Sequence, residues 1–179
     1  MSRSNPYKRK RIAKRTVLIC GEGDDEEYLL LHLRQLYSRN TGICVKIKNA
    51  HGGSPLYTVQ FAVKLLGDFS QKIVLVDSDR SLKEIKEAKQ LAIRNNILYL
   101  ECKPCIEAEI LCFINENEYS IKSTMECKKE LKKIMQNKKI KTFVNFLEKK
   151  LSRKVMDKKQ KKVKDCVLTS LINILSKKN

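Results

Sequence analysis

The 179-residue chain carries 38 Lys+Arg against 20 Asp+Glu, a formal charge of +18, with 42% apolar residues and no tryptophan. That apolar share fills the core of one domain and excludes a fully disordered basic chain. The most apolar stretch, Val167–Leu175, is broken by Thr169, Ser170 and Asn173, so no membrane partner is expected.

Residues 1–15 hold seven Lys/Arg and no acid, and read as a basic N-terminal arm in which Lys8, Arg9, Lys10 and Arg11 would bind phosphates. The arm has no apolar core of an export signal, and the seven cysteines fall at irregular spacings. Both features predict a cytoplasmic chain with reduced thiols. Thr16–Cys20 is a short β-branched strand, followed by a Gly21-Glu22-Gly23 turn and a helix patterned by Tyr28, Leu29, Leu31, Leu33 and Leu36. Ile43–Lys48 alternates as a second strand. The turn His51-Gly52-Gly53-Ser54-Pro55 leads into a helix from Leu56 to Leu66, with Ser54 as N-cap and Pro55 at its first position. Lys72–Val76 is a buried-type strand ending in Asp77-Ser78-Asp79-Arg80, a helix runs to about Arg94, Ile97–Glu101 is a fourth strand, and Pro104 opens another helix. This order predicts an α/β fold around a mostly parallel four-stranded sheet over 16–115.

Residues 116–179 read as a helical, Lys-rich C-terminal extension, with helices over Met125–Gln136, Ile140–Leu151 and Val163–Leu175. Between the last two, in Arg153–Lys164, only Val155, Met156 and Val163 could pack. From 122 onward 19 Lys/Arg face five acids (+14), whereas 16–121 has 12 Lys/Arg and 15 acids (−3). Basic flanks around an acidic centre point to a nucleic-acid partner, with Arg80, Lys158, Lys159, Lys161 and Lys162 as phosphate contacts; the bland alternative is a solvated lysine surface.

In a parallel α/β sheet the functional crevice lies beyond the carboxyl ends of the strands. Three acidic clusters fall there: Glu22 with Asp24–Glu27, Asp77 with Asp79, and Glu107 with Glu109. Oxygen-only ligands favour Mg²⁺ or Mn²⁺. Each cluster also opens a helix, so complementing a helix macrodipole is the competing explanation. Glu26 is expected at an exposed helix start. A dinucleotide fingerprint fails because Glu26 stands where the third glycine belongs. A receiver-type acidic pocket fails because Asp77 and Lys103 are too close in sequence. Cys102-Lys-Pro-Cys105 is a single CxxC without a second pair, and His32 and His51 have no evident catalytic partner.

Val17-Leu-Ile-Cys-Gly-Glu22-Gly23-Asp-Asp-Glu26-Glu27 followed by Val74-Leu-Val-Asp77-Ser-Asp79 resembles the Toprim domain, with its Glu after the first strand and Asp-x-Asp after the third. Pro104-Cys-Ile-Glu107-Ala-Glu-Ile-Leu111 and His51-Gly-Gly-Ser54 resemble segments of its RloB-like branch, grouped with phage-resistance (abortive-infection) loci. Lys103 stands where that branch usually has Asn, and Glu109 where it usually has an aromatic. The resemblance implies a Toprim-like Rossmannoid and a Mg²⁺-dependent (or Mn²⁺-dependent) nuclease of DNA or RNA in antiviral defence. It implies Glu22, Asp77 and Asp79 as metal ligands and catalytic groups, with Glu107 or Glu27 at a second site. Arg80 or Lys103 would steady the transition state, and an ion-activated water would attack. A non-catalytic nucleic-acid-binding scaffold, a subunit dependent on an ATPase or another defence protein, and a homo-oligomer stay open.

Overall fold

The computed structural model describes residues 15–115, 123–138 and 140–176. Strands β1 (Arg15–Gly21), β2 (Ile43–Asn49), β3 (Gln71–Asp77) and β4 (Ile97–Cys102) alternate with helices α1 (Asp24–Tyr37), α2 (Pro55–Lys64), α3 (Leu82–Arg94) and α4 (Ile106–Asn115). Four further helices follow: α5 (Thr124–Asn137), α6 (Phe143–Lys150), α7 (Arg153–Gln160) and α8 (Val167–Ser176). The sheet runs β2-β1-β3-β4 with every pair parallel, as the alternating order requires.

Alternation along β1 sends its side chains into two cores. Val17 and Ile19 pack with Leu29, Leu30 and Leu33 of α1 on one face, while Leu18 and Cys20 join Val59, Ala88 and Ala92 of α2 and α3 on the other. The chain leaves β1 toward β2 and then crosses back to β3 on the opposite side, so the strand order reverses between β1 and β3. That is the position at which an open α/β sheet forms its crevice.

The C-terminal region is helical, as its pattern implies, and it belongs to the first of those cores. Phe146, Leu147, Leu151, Met156, Leu168, Leu171 and Leu175 share one buried cluster with Val17, Ile19 and Leu33. The layer of α1 over the sheet is therefore completed by α6 and α8.

Several boundaries differ from the sequence reading for local reasons. Gly21 is the last residue of β1 rather than the start of the turn, and a Cβ there would lie 2.7 Å from Glu26 Cβ; glycine lets α1 fold back against the strand end. Helix α2 stops at Lys64, because Leu65 is extended and Lys72 Nζ takes the carbonyls of Ala62 (2.9 Å) and Leu65 (2.8 Å). An additional helix, α7, forms inside the Lys-rich stretch and buries Met156. The final helix begins at Val167 instead of Val163, whose carbonyl accepts the hydroxyl of Thr169 at 2.6 Å.

Candidate active-site crevice

A crevice of about 430 Å³ opens at the carboxyl ends of β1 and β3, lined by Glu22, Asp24, Asp25, Glu26, Asp77 and Glu107, together with Arg80, Lys128 and the glycines Gly23, Gly52 and Gly53. The fold dictates this convergence. Glu22 follows β1 directly, Asp77 ends β3, Glu26 is in the first turn of α1, and Glu107 is the second residue of α4.

Asp77 is 9% exposed, and its Oδ1 accepts the backbone N–H of Ile106 at 3.0 Å, tying the end of β3 to the start of α4. Burial, and then the charges of Glu26, Glu107 and Glu22, push its carboxyl up to about 8. Glu22 Oε2 accepts the Asp77 N–H at 3.4 Å, and burial raises its affinity for a proton as well. Glu107 is 5% exposed; its Oε1 stands 3.8 Å from Lys128 Nζ, and its Oε2 is buried with no hydrogen-bond partner among the described residues. Partial burial disfavours the charge on Lys128, but Glu107 and Asp77 outweigh it and hold its pKa above the usual lysine value.

Glu26 corrects an expectation. It is 6% exposed instead of facing solvent at a helix start, and its Oε2 accepts the N–H of Gly23 at 2.9 Å in a capping-box arrangement. Burial is the main reason its carboxyl rises to about 7. The Gly23-x-x-Glu26 spacing is the signal that could have found it.

Other expected site residues fall outside the lining. Asp79 is an exposed neighbour of the crevice, with Oδ1 3.9 Å from Arg80 Nε, and its charge is felt at Glu22 and Asp77. Glu27 turns toward the end of β2, where its Oε2 accepts Asn49 Nδ2 at 3.1 Å; the same amide reaches Asp24 Oδ1 at 2.7 Å. Lys103 is exposed and absent from the lining, and its backbone N–H goes to Glu109 Oε1. Glu109 does not stand with Glu107: its Oε2 accepts the N–H of Val167 at 3.0 Å and the thiol of Cys166 at 3.0 Å, which caps α8. Arg80 Nη2 donates to Gly53 O at 3.1 Å, which holds the guanidinium against the Gly-rich turn at the crevice.

The lysines read as phosphate contacts divide. Lys8, Arg9, Lys10 and Arg11 lie outside the described residues. Lys158, Lys161 and Lys162 are exposed, whereas Lys159 Nζ is turned to the carbonyl of Ile114. None of the four lines the crevice. Arg153 Nη1 bonds Leu36 O at 2.9 Å and Tyr37 Oη donates to Asp157 Oδ1 at 2.8 Å, so α7 is pinned to the C-terminal end of α1, about 20 Å of helix from Asp24.

Lys128 was not anticipated. It comes from α5, more than a dozen residues beyond the last strand–helix unit, and only the packing of α5 against α4 brings it to Glu107. Among the described residues no three His, Cys, Asp or Glu side chains are gathered as a ready-made ligand cluster. The donors nevertheless suit a hard cation: they are all oxygens, the charges of Glu26, Glu107 and Glu22 add to burial in raising the proton affinity of Asp77, and one buried carboxylate oxygen lacks a partner among the described residues.

No helix among the described residues is long and apolar enough to cross a membrane. No protein-family model matches the chain, and no curated protein matches it. Among solved structures the chain is similar to a de novo designed Rossmann-fold protein, at 16% identity, over 67% of this chain and 96% of that one, with a TM-score of 0.33. The parallel β2-β1-β3-β4 sheet with helices on both faces makes the chain a doubly wound α/β protein.

Proposed function

We propose that this chain is a divalent-cation-dependent nuclease, a phosphodiester hydrolase of the Toprim type that acts on DNA or RNA, and that, as the RloB-like resemblance implies, it serves antiviral defence. The observation that carries the reading is the crevice itself: the buried carboxylates of Glu26, Asp77 and Glu107 line it at the reversal of strand order, with Glu107 Oε2 unpartnered among the described residues, in a chain of net charge +18. A cluster of buried like charges is costly without a cation among them.

Glu22, Asp77 and Glu107 would hold Mg²⁺ or Mn²⁺, with Asp79, two residues after Asp77, as the further ligand that the resemblance implies. A cation bound there would neutralise the carboxylates, draw a phosphate oxygen into the crevice and activate a water for attack. The remaining work belongs to the chain. Arg80, fixed by Gly53 O, would present its guanidinium to the non-bridging phosphate oxygens, and Lys128, beside Glu107, would add a second positive group. Protons held by Asp77 and Glu26 near neutrality would leave as the cation enters, so binding should tighten as pH rises.

The test is incubation of the purified protein with plasmid, single-stranded oligonucleotide and total tRNA in Mg²⁺, Mn²⁺ or EDTA, alongside Asp77→Asn and Glu107→Gln. Cation-dependent cleavage lost in both variants is expected. Cleavage in EDTA, cleavage that survives in Asp77→Asn, or none on any substrate would overturn it. A second reading, a non-catalytic nucleic-acid-binding scaffold or a partner-dependent subunit, is favoured by the engagement of Asp77 Oδ1 and Glu26 Oε2 with backbone N–H groups. It predicts nucleic-acid binding with no thermal stabilisation by the cation.

A further inference from the structure

The charges on α5 are segregated around the helix axis. At 100° per residue, Lys128, Lys132, Lys129 and Lys133 fall within one arc of about 140°, with Gln136 and Met125 inside it. Cys127 and Leu131 face the core, and Glu126 and Glu130 lie beyond Lys133 on the far flank. Lys129, Lys132, Lys133 and Met125 are exposed, Met125 to 65%. The lysine arc begins at the crevice, because Lys128 lines it and pairs with Glu107. Two like-charged i,i+4 pairs, Lys128/Lys132 and Lys129/Lys133, repel along this face, offset in part by Glu126/Lys129 and Glu130/Lys133 at i,i+3. An anion laid along the arc would reverse that cost.

We propose that this face of α5 receives the phosphate backbone of one nucleic-acid strand and leads it to the crevice; the proposal rests on the phosphodiester reading above. The step from Lys128 to Lys133 covers about 7.5 Å of helix axis, room for two or three consecutive phosphates of a strand. Met125 stands among the lysines as an apolar surface that a base can cover. Charge complementarity also points away from α7. The run Lys158–Lys162 at the end of α7 holds as many lysines, but α7 is pinned to the C-terminal end of α1 and none of the four lines the carboxylate crevice.

Two variants of equal charge change separate these surfaces: Lys129→Gln/Lys132→Gln/Lys133→Gln, and Lys158→Gln/Lys161→Gln/Lys162→Gln. Binding of fluorescein-labelled single-stranded 20-mers, one DNA and one RNA, is measured in EDTA between 50 and 200 mM salt, with circular dichroism melts to confirm that each variant folds. The α5 variant should bind at least about 10-fold more weakly at 100 mM salt and lose about two from the slope of log affinity against log salt. The α7 variant should stay within about 3-fold of the parent. Dependence on α5 with either probe supports the proposal, and the tighter probe identifies the sugar. An α5 variant that binds like the parent, an α7 variant that is equally weak, or a parent that binds neither probe overturns it. Because binding is read without a cation, a parent that binds through α5 but never cleaves refutes the nuclease reading alone. A parent that cleaves, with the α5 variant binding unchanged, refutes the α5 surface alone.

Discussion

Replacing Asp77 by Asn removes one charge from the crevice while keeping an oxygen for the Ile106 N–H. In the folded chain Asp77 binds its proton up to about 8, against 3.8 for the ordinary carboxyl. A folded pKa above the unfolded one gives stability that is fully present below pH 3.8 and lost as pH rises through about 8. The rise from 3.8 to about 8, at about 1.4 kcal/mol per tenfold gain in proton affinity, sets a ceiling near 6 kcal/mol. Glu26, Glu107 and Glu22 share the repulsion, so we expect roughly half of it, about 3 kcal/mol, or about 6–12 °C of Tm for a chain of this size. Melts in EDTA at pH 5, 6, 7 and 8 should show the parent losing Tm across this range. Asp77→Asn should be flatter by about one proton's slope and the more stable of the two at pH 8. Mg²⁺ should raise the parent at pH 8 and leave the variant unmoved. A parent whose Tm is level or rising from pH 5 to 8, or a variant with the same slope as the parent, would refute this account of the carboxylate cluster.

Gly21→Ala places a Cβ 2.7 Å from Glu26 Cβ, and because that contact is between a strand end and a packed helix we expect a loss of about 2–3 kcal/mol in urea unfolding, with m unchanged. Truncation after Leu151 removes Met156, Leu168, Leu171 and Leu175 from the core shared with Val17 and Leu33; the product should lack cooperative unfolding and bind a hydrophobic dye. A truncated chain that melts cooperatively near the parent's Tm would show that the helices after 151 are dispensable.

The α/β order was legible because each strand and helix of 16–115 carries its own period, and Glu22 and Asp77 stand where a strand pattern stops. Glu107 was legible for the same reason. What escaped were properties set by packing between elements. Glu26 has the sequence look of an exposed helix start, yet Gly21 lets α1 approach so closely that the carboxylate is enclosed. Glu109 and Glu107 are two residues apart and therefore point to different sides of α4, one to α8 and one to the crevice. Lysine density singled out α7, but density carries no information about which end of the molecule a helix occupies. The run on α5 reaches the crevice through Lys128, a placement only the packing of α5 on α4 reveals.

The core shared by the first helix and the last also bears on how the chain is made. Val17, Ile19 and Leu33 leave the ribosome well before Leu168 and Leu171, which share their core. At about 5–20 residues per second the interval is on the order of ten seconds. Through that interval one face of the nascent sheet is covered by α1 and α4 without α6 and α8, which leaves apolar surface for a chaperone or for another unfinished copy. Changes that slow translation between α1 and α8 should therefore lower soluble yield without altering the finished protein.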